Sequence, residues 1–372
     1  MQFFGTTLTR AQLGHRTGRL QQAGGVHLLS LEEGFERGVR MLEFNTGTGF
    51  RFRVAVDRGF DVALCEYRGA SLAWLPPKGF VAPEHFEGGK VGWLRNAGLG
   101  GFFNSCGLVT IGGQQELDTS HFGYGSRNTD FYGIHDRIAL IPAERFTFGE
   151  RWEGDRCILW AEGLMRQEIA YGENLTLRRR YEAELGTSHF SIVDTVSNEG
   201  DYETAHQLLY HMNIGWPVLD EGARLIASIP NDKPMILFGD DGSDPANYRT
   251  FIAPESQFKA QGYESRLNTD VSGWASSAVV NEAFDGGRGI GAFLRYDTST
   301  LPVFIEWRMM SHGLYAVGME PATNGFASLD ELKAAGFPVM LQPGERRTYR
   351  LEMGALGDKA AIQQFEAAQP AK

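Results

Sequence analysis

Hydrophobic and polar positions along this chain alternate with a period of two far more often than they recur at helical spacing. Phe52, Val54 and Val56 interleave with Arg51, Arg53 and Ala55, and the run stops at Asp57-Arg58-Gly59. Leu175, Leu177 and Arg179 interleave with Thr176, Arg178 and Arg180, which reads as a mostly solvated antiparallel strand. The segment HFSIVDTVSNEG continues the pattern to a turn at Asn198-Glu199-Gly200. Further strand-like runs cover 156–162, 205–213, 291–296, 303–309, 315–319 and 348–353. Successive side chains on a strand point to opposite faces, so this is the signature of half-buried β-structure. Turn signals at intervals of about 8–12 residues belong to large sandwiches or barrels.

Helical signal is sparse. Residues 358–369 place Ala361, Gln364 and Phe365 at helical spacing, and 328–335 offers Ser328 as an N-cap before Leu329, Leu332 and Lys333. No βαβ rhythm, internal repeat or low-complexity linker interrupts the chain, so residues 1–372 are expected to form a single all-β domain. Composition sharpens this picture. Glycine supplies 47 of 372 residues, against an average of about 7 %, and with 25 Phe, 12 Tyr and 7 Trp this fits many short strands joined by tight turns.

Charge and cysteine count narrow the partners. A net charge of −11 speaks against nucleic acid or an anionic membrane, both of which are bound by clustered Lys and Arg. Cys65, Cys106 and Cys157 are too few and too scattered for a disulfide framework, which fits a reducing compartment. The N-terminal segment has no secretory pattern, and the uncharged window 96–115 is broken by glycines. A cytoplasmic protein is expected.

Familiar motifs fail. Gly98 to Gly101 looks like a phosphate loop, but a dinucleotide fingerprint needs glycine where Phe103 stands. HExxH, CxxC and GxSxG are absent. His206 and His211, five apart on a strand, face opposite sides of a sheet, so no metal site is expected.

Three segments carry chemistry. The first, YGIHDRIALIPA, sets His135 and Arg137 beside a glycine turn. The second, QLLYHMNIGWP, puts His211 on one face with Leu209 and Asn213. A histidine on a strand that is apolar on both faces must find a partner. The third, YAVGMEPATNG, leads through Ala316 and Gly318 to Glu320, leaving space above the sheet beside a carboxylate. Arg58 closes the run of Phe52, Val54 and Val56, where a ligand role and an ion pair with Asp57 or Asp61 compete. Arg308 shares a face with Phe304, Glu306 and Met310, so an internal Glu306–Arg308 arrangement competes with ligand binding. Trp74, Trp216 and Trp307 are candidates for stacking on a ligand or for core packing.

In order along the chain, VDRGFDVALCEYRGASLAWLPP, GIHDRIALIPA, SIVDTVSNEG, LLYHMNIGWPVLDEGARL, YAVGMEPATNG and LQPGERRTYRLEMG resemble aldose 1-epimerases, the galactose-mutarotase-like proteins, and within them the branch labelled DUF4432. The resemblance spans about residues 45–355. It implies a β-supersandwich of large twisted antiparallel sheets with few short helices and a concave sugar-binding face. It also implies His211 as general acid, Glu320 as general base and His135 as a sugar ligand. Asp136 stands where the family usually has glycine, and the family's sugar-binding aspartate has no evident counterpart between Gly222 and Gly289.

The chemistry asks for these residue types. Interconverting anomers needs a base at the anomeric hydroxyl and an acid at the ring oxygen; the ring opens, the aldehyde carbon rotates and the ring recloses. A carboxylate suits the first role and an imidazole the second. No redox step occurs, so no cofactor is expected. His135, Arg58, Arg137, Arg308, Asn213 and Trp216 form the expected substrate-binding set around a small-molecule carbohydrate, with a homodimer left open. A keto-sugar isomerase or lyase and a non-catalytic carbohydrate-binding protein are the alternatives.

Overall fold

The computed structural model describes every residue except 4, 97–99, 124, 245 and 372. Gly98, in the loop considered above, lies outside the described residues. In chain order the principal strands are β1 (Gly25–Ser30), β2 (Arg40–Asn45), β3 (Phe50–Ala55), β4 (Asp61–Tyr67) and β5 (Phe103–Leu108). Then come β6 (Arg145–Glu153), β7 (Arg156–Glu168), β8 (Asn174–Glu184), β9 (His189–Asn198), β10 (Gln207–Ile214) and β11 (Arg224–Ala227). The series ends with β12 (Met235–Phe238), β13 (Gln261–Ser265), β14 (Trp274–Asn281), β15 (Ile290–Asp297), β16 (Val303–Ser311), β17 (Leu314–Ala322) and β18 (Arg346–Leu356).

These strands form two large antiparallel sheets. One runs β12-β13-β16-β17-β10-β5-β4-β3-β2-β1, with the two-residue strand Ala70–Ser71 added beside β4. The other runs β6-β7-β8-β9-β18-β15-β14-β11. The main core lies between them: Phe52, Val54 and Val62 of the first sheet pack with Tyr181, Phe190 and Ile192 of the second. Phe52 stacks on Phe44 and Phe190 with ring centroids 4.4 and 4.2 Å apart. Both expected helices are present. Leu329–Ala334 starts at Ser328 with a capping box to Glu331, and Lys359–Ala367 starts at Asp358, whose side chain accepts from Ala361 N–H. Among the described residues no helix is long and apolar enough to cross a membrane. All three cysteines are free and buried.

The solvated reading of β8 is corrected at one position. Arg178 and Arg180 face water, but Arg179 is fully buried between the sheets. Its guanidinium donates to both oxygens of Asp194, to Asp61, to Ser105 Oγ and to the Gly59 carbonyl. Tyr210 on β10 donates to the same Asp194. A lone charge in the core would cost several kcal/mol; here each charge is paired and hydrogen-bonded. This network fixes the inward faces of β5 and β10, whose outward faces carry the candidate site.

Candidate active site

Register brings the chemistry together. Strands β10 and β17 pair with Leu209 opposite Ala322, Met212 opposite Met319 and Asn213 opposite Gly318, which sets His211 opposite Glu320. Asn104 on β5 pairs with His211 from the other side. Beyond Glu320, Ile305 on β16 and Glu264 on β13 complete the same row. Paired residues in adjacent strands share a face, so Asn104, His211, Glu320, Ile305 and Glu264 form one rung across five strands on the outer face of the sheet.

At the centre of that rung His211 Nε2 lies 3.0 Å from Glu320 Oε1. The two residues are only 2 % and 1 % exposed. The contact is close but not aligned as a hydrogen bond, so Glu320 Oε1 lacks a hydrogen-bonding partner; His211 Nδ1, the other ring nitrogen, lacks one too. Gly318 sits beside them on the same face. A Cβ at that position would meet the Glu320 carboxylate and come within 3.0 Å of His211 Cε1. The small residue before the glutamate thus makes room for the carboxylate itself.

His135 approaches from the loop after the hairpin of residues 115–132, its ring 6.0 Å from that of His211 and perpendicular to it. Its Nδ1 accepts from Gly112 N–H at 3.3 Å, leaving the Nε2 hydrogen as the free donor. Burial, aided by the His211 ring, pushes its pKa down to about 3, so it is a neutral donor at physiological pH. His135 and Asp136 both adopt left-handed backbone, at φ +55° and +54°. This accounts physically for the glycine that the family resemblance expects at 136. The aspartate is held there by hydrogen bonds from Val109 N–H at 3.0 Å and Gln167 at 2.6 Å, and burial raises its carboxyl to about 7.

The remaining expected ligands divide. Asn213 shares the outer face with His211, but its amide is spent on the carbonyls of Gly101 and His211, leaving Oδ1 buried without a partner. Arg58 is 2 % exposed and pairs with neither Asp57, which binds Arg40, nor Asp61, which binds Arg179 and Ser105. It lies over the Phe80 ring at 5.8 Å with Nε and Nη1 unpartnered, and burial lowers its pKa to about 10. Phe80 belongs to a small cluster with Val39, Met41, Ala55 and Ala63, the alternate positions to the main-core Leu42, Val54 and Val62. Arg58 therefore leaves the inward face that its parity with Phe52 suggested.

Three expected ligands are not brought to the pair. Arg308 stands opposite Val317, on the inner side of β16. There it donates to the Asn247 and Thr250 carbonyls and packs 5.4 Å from the Phe251 ring. Its neighbour in parity, Glu306, is buried with neither carboxylate oxygen hydrogen-bonded, and burial raises its pKa to about 8. Arg137 turns to Glu173, 2.7 Å away, and the Glu168 carbonyl. Trp216 lies past the end of β10 and is 67 % exposed.

The structure adds residues that sequence reasoning missed. Trp93, on the short helix Gly92–Asn96, has its ring 4.6 Å from His135 and 5.8 Å from His211. Phe326 meets His135 at 6.2 Å, and Trp307, already a stacking candidate from the sequence, meets the His211 ring edge-on at 5.9 Å. Glu264 is half-buried, its carboxyl raised by burial, and fills the space over Gly325. A signal for Glu264 existed: Gly262-Tyr-Glu264 repeats the spacing of Gly318-Met-Glu320, and the two glycines flank Trp307 in register.

Two large antiparallel sheets with few short helices, carrying a His–Glu pair on the outer face of one, define a galactose-mutarotase-like β-supersandwich. Residues 36–355 match the family described as a domain of unknown function, DUF4432, and the chain belongs to that family. Its structure is similar to that of a Klebsiella pneumoniae protein provisionally named an aldose 1-epimerase, with a TM-score of 0.80 and 24 % identity, covering 92 % of this chain and 86 % of that one. A galactose mutarotase-like protein from Clostridium acetobutylicum gives a TM-score of 0.57 at 14 % identity, covering 90 % and 99 %. Galactose 1-epimerase from Lactobacillus acidophilus gives 0.54 at 12 %, covering 89 % and 98 %. At these identities the likeness is one of fold. No curated protein matches this chain.

Proposed function

We propose that this protein is an isomerase that interconverts the anomers of a sugar by acid–base ring opening and closure. The observation that carries the reading is the 3.0 Å contact between His211 Nε2 and Glu320 Oε1 on neighbouring strands. The anomeric hydroxyl and the ring oxygen are bonded to the same carbon, so a base and an acid serving both atoms must stand side by side. Glu320 takes the proton from the anomeric hydroxyl while His211 delivers one to the ring oxygen, and the roles exchange on reclosure. His135 donates from Nε2 to a sugar hydroxyl, and Glu264 accepts from another at the far end of the rung. Trp307 offers an aromatic face to the ring. Arg58 remains a ligand candidate through its two unpartnered nitrogens, Nε and Nη1, whereas Arg308, Arg137 and Trp216 take no part in the proposed set. The cytoplasm is the proposed compartment.

The test is the decay of optical rotation of freshly dissolved single anomers, screened over aldoses, deoxy sugars and uronic acids. His211→Ala and Glu320→Gln should each cost on the order of 10²–10⁴ in rate on the best substrate. Near-normal exchange in both variants overturns the assignment. Incorporation of solvent deuterium at carbon marks an isomerase acting on carbon-bound protons instead.

A further inference from the structure

His211 and Glu320 are 2 % and 1 % exposed, so in this conformation no sugar can touch either of them. What fills the space above them is identifiable. The Trp93 indole is itself only 1 % exposed and lies against both histidine rings. Its Nε1–H is buried without a hydrogen-bond partner, which is unusual for an indole and leaves a desolvated donor uncompensated. Trp93 also lines a cavity of about 410 Å³ that includes Gly88, Gly89, Gly92 and Gly133, with the carboxylates of Asp136 and Glu173, which accept from Val109, Gln167, Tyr132 and Arg137, in its wall. That volume lies in the range of small-molecule pockets. Two glycines lead into the helix: Gly89 has φ +90°, an added Cβ at either Gly88 or Gly89 would meet open space, and the Gly89 and Lys90 carbonyls pack against Gly133. The side chain of Asn96 bonds Glu87 and Gly92, so it holds the segment to itself rather than to the sheets. Outward ties run from Ile134 N–H to the Lys90 carbonyl and from the half-exposed Lys78 to Glu87 and the Arg95 carbonyl. The polar bonds of the segment are thus mainly internal, and what holds it to the sheet is the packing of the Trp93 ring among Cys106, Ile111, Leu209, Ile305 and Ala322, an apolar contact that opening has to give up.

We propose that Trp93 occupies the place of the sugar ring in the resting protein, that segment 88–96 must carry its indole aside before substrate reaches His211 and Glu320, and that the indole thereby competes with the sugar and restricts which sugars enter. This deepens the functional reading above and rests on it for the identity of the ligand. The displacement itself does not. Retraction frees the unpartnered indole N–H to bond water, which offsets part of the cost of opening.

The decisive measurement is carbethoxylation of histidines by diethyl pyrocarbonate on the intact chain, read residue by residue from peptide masses. Exposed His27, on the edge strand β1 away from segment 88–96, is the internal reference. His211 should react at least tenfold more slowly than His27 in the wild type, and Trp93→Ala should accelerate His211 at least fivefold while leaving His27 unchanged. Unchanged His211 labelling in that variant overturns the proposal. If the alanine variant does not fold, Trp93→Phe serves, with an expected acceleration of at least twofold and the same overturning result. On the best sugar, removing the competitor should lower KM at least threefold, because the competent state no longer has to be cleared of the indole. Faster labelling with an unchanged or raised KM overturns the sharing of one space by indole and sugar. Labelling uses no sugar, so it decides the displacement even where the anomerisation test fails.

Discussion

Gly318 and Glu320 stand two residues apart on one face of β17, and the carboxylate of the second fills the space that the first leaves free. The backbone of Gly318 needs no left-handed conformation; what forbids a side chain there is the Glu320 carboxylate and the His211 ring. Gly318→Ala should therefore fold normally and lose activity. We expect a rate on the best sugar reduced by at least about tenfold through displacement of the proposed acid–base pair, with a melting temperature near that of the wild type. A variant with full activity would show that the pair needs no such room.

His135 acts, in the proposed function, as a neutral hydrogen-bond donor to substrate. His135→Ala should raise KM more than it lowers kcat, as removal of uniform binding does. With its pKa pushed down to about 3, its titration lies below the working range, so the pH dependence of KM between pH 5 and 8 should be the same in variant and wild type. Steady-state optical-rotation kinetics at several pH values check both statements.

Glu306 gives a pH dependence of stability with a definite sign. Its carboxyl rises from an ordinary value of 4.5 to about 8 through burial, so the folded state holds a proton that the unfolded state releases. Its contribution is fully present below pH 4.5 and is lost as pH rises through 8. Glu306→Gln keeps the neutral shape, so urea unfolding should find it more stable than wild type by several kcal/mol at pH 8 and about equal at pH 4, each tenfold change in proton affinity being worth about 1.4 kcal/mol. Asp136, raised to about 7, adds a slope of the same sign that the substitution leaves in place.

Arg179 is the keystone of the charges between the sheets. Arg179→Met strands Asp194 and Asp61 in the core, and unfolding should show a loss of roughly 3–5 kcal/mol. A loss below about 1 kcal/mol would mean that these carboxyls are neutral in the folded protein.

Alternation made much of this legible in the sequence. Parity alone puts His211 with Asn213 and Glu320 with Gly318, because a strand offers only two faces. Parity also separates Arg308 from Trp307, but it does not say which face turns toward the other sheet, and so Arg308 passed for a ligand. Arg179 sits within three consecutive arginines, and a run of charges resembles a solvated face until its partners from β4 and β9 are brought near. Trp93 had no periodic signal, since a helix of five residues is too short to carry one. Glu264 required a register: the Gly-x-Glu spacing it shares with Glu320 gains meaning only when β13 and β16 are known to be neighbours.

The rung of Asn104, His211, Glu264, Ile305 and Glu320 draws its members from distant stretches of the chain. Contacts of such sequence separation form slowly, because loop closure precedes any gain from pairing. During synthesis the histidine emerges long before its glutamate, and β10 and β17 cannot pair until most of the chain has left the ribosome. The proposed acid–base function would then switch on as one of the last events of maturation, and a fragment that stopped short of residue 320 would keep a histidine without its carboxylate partner.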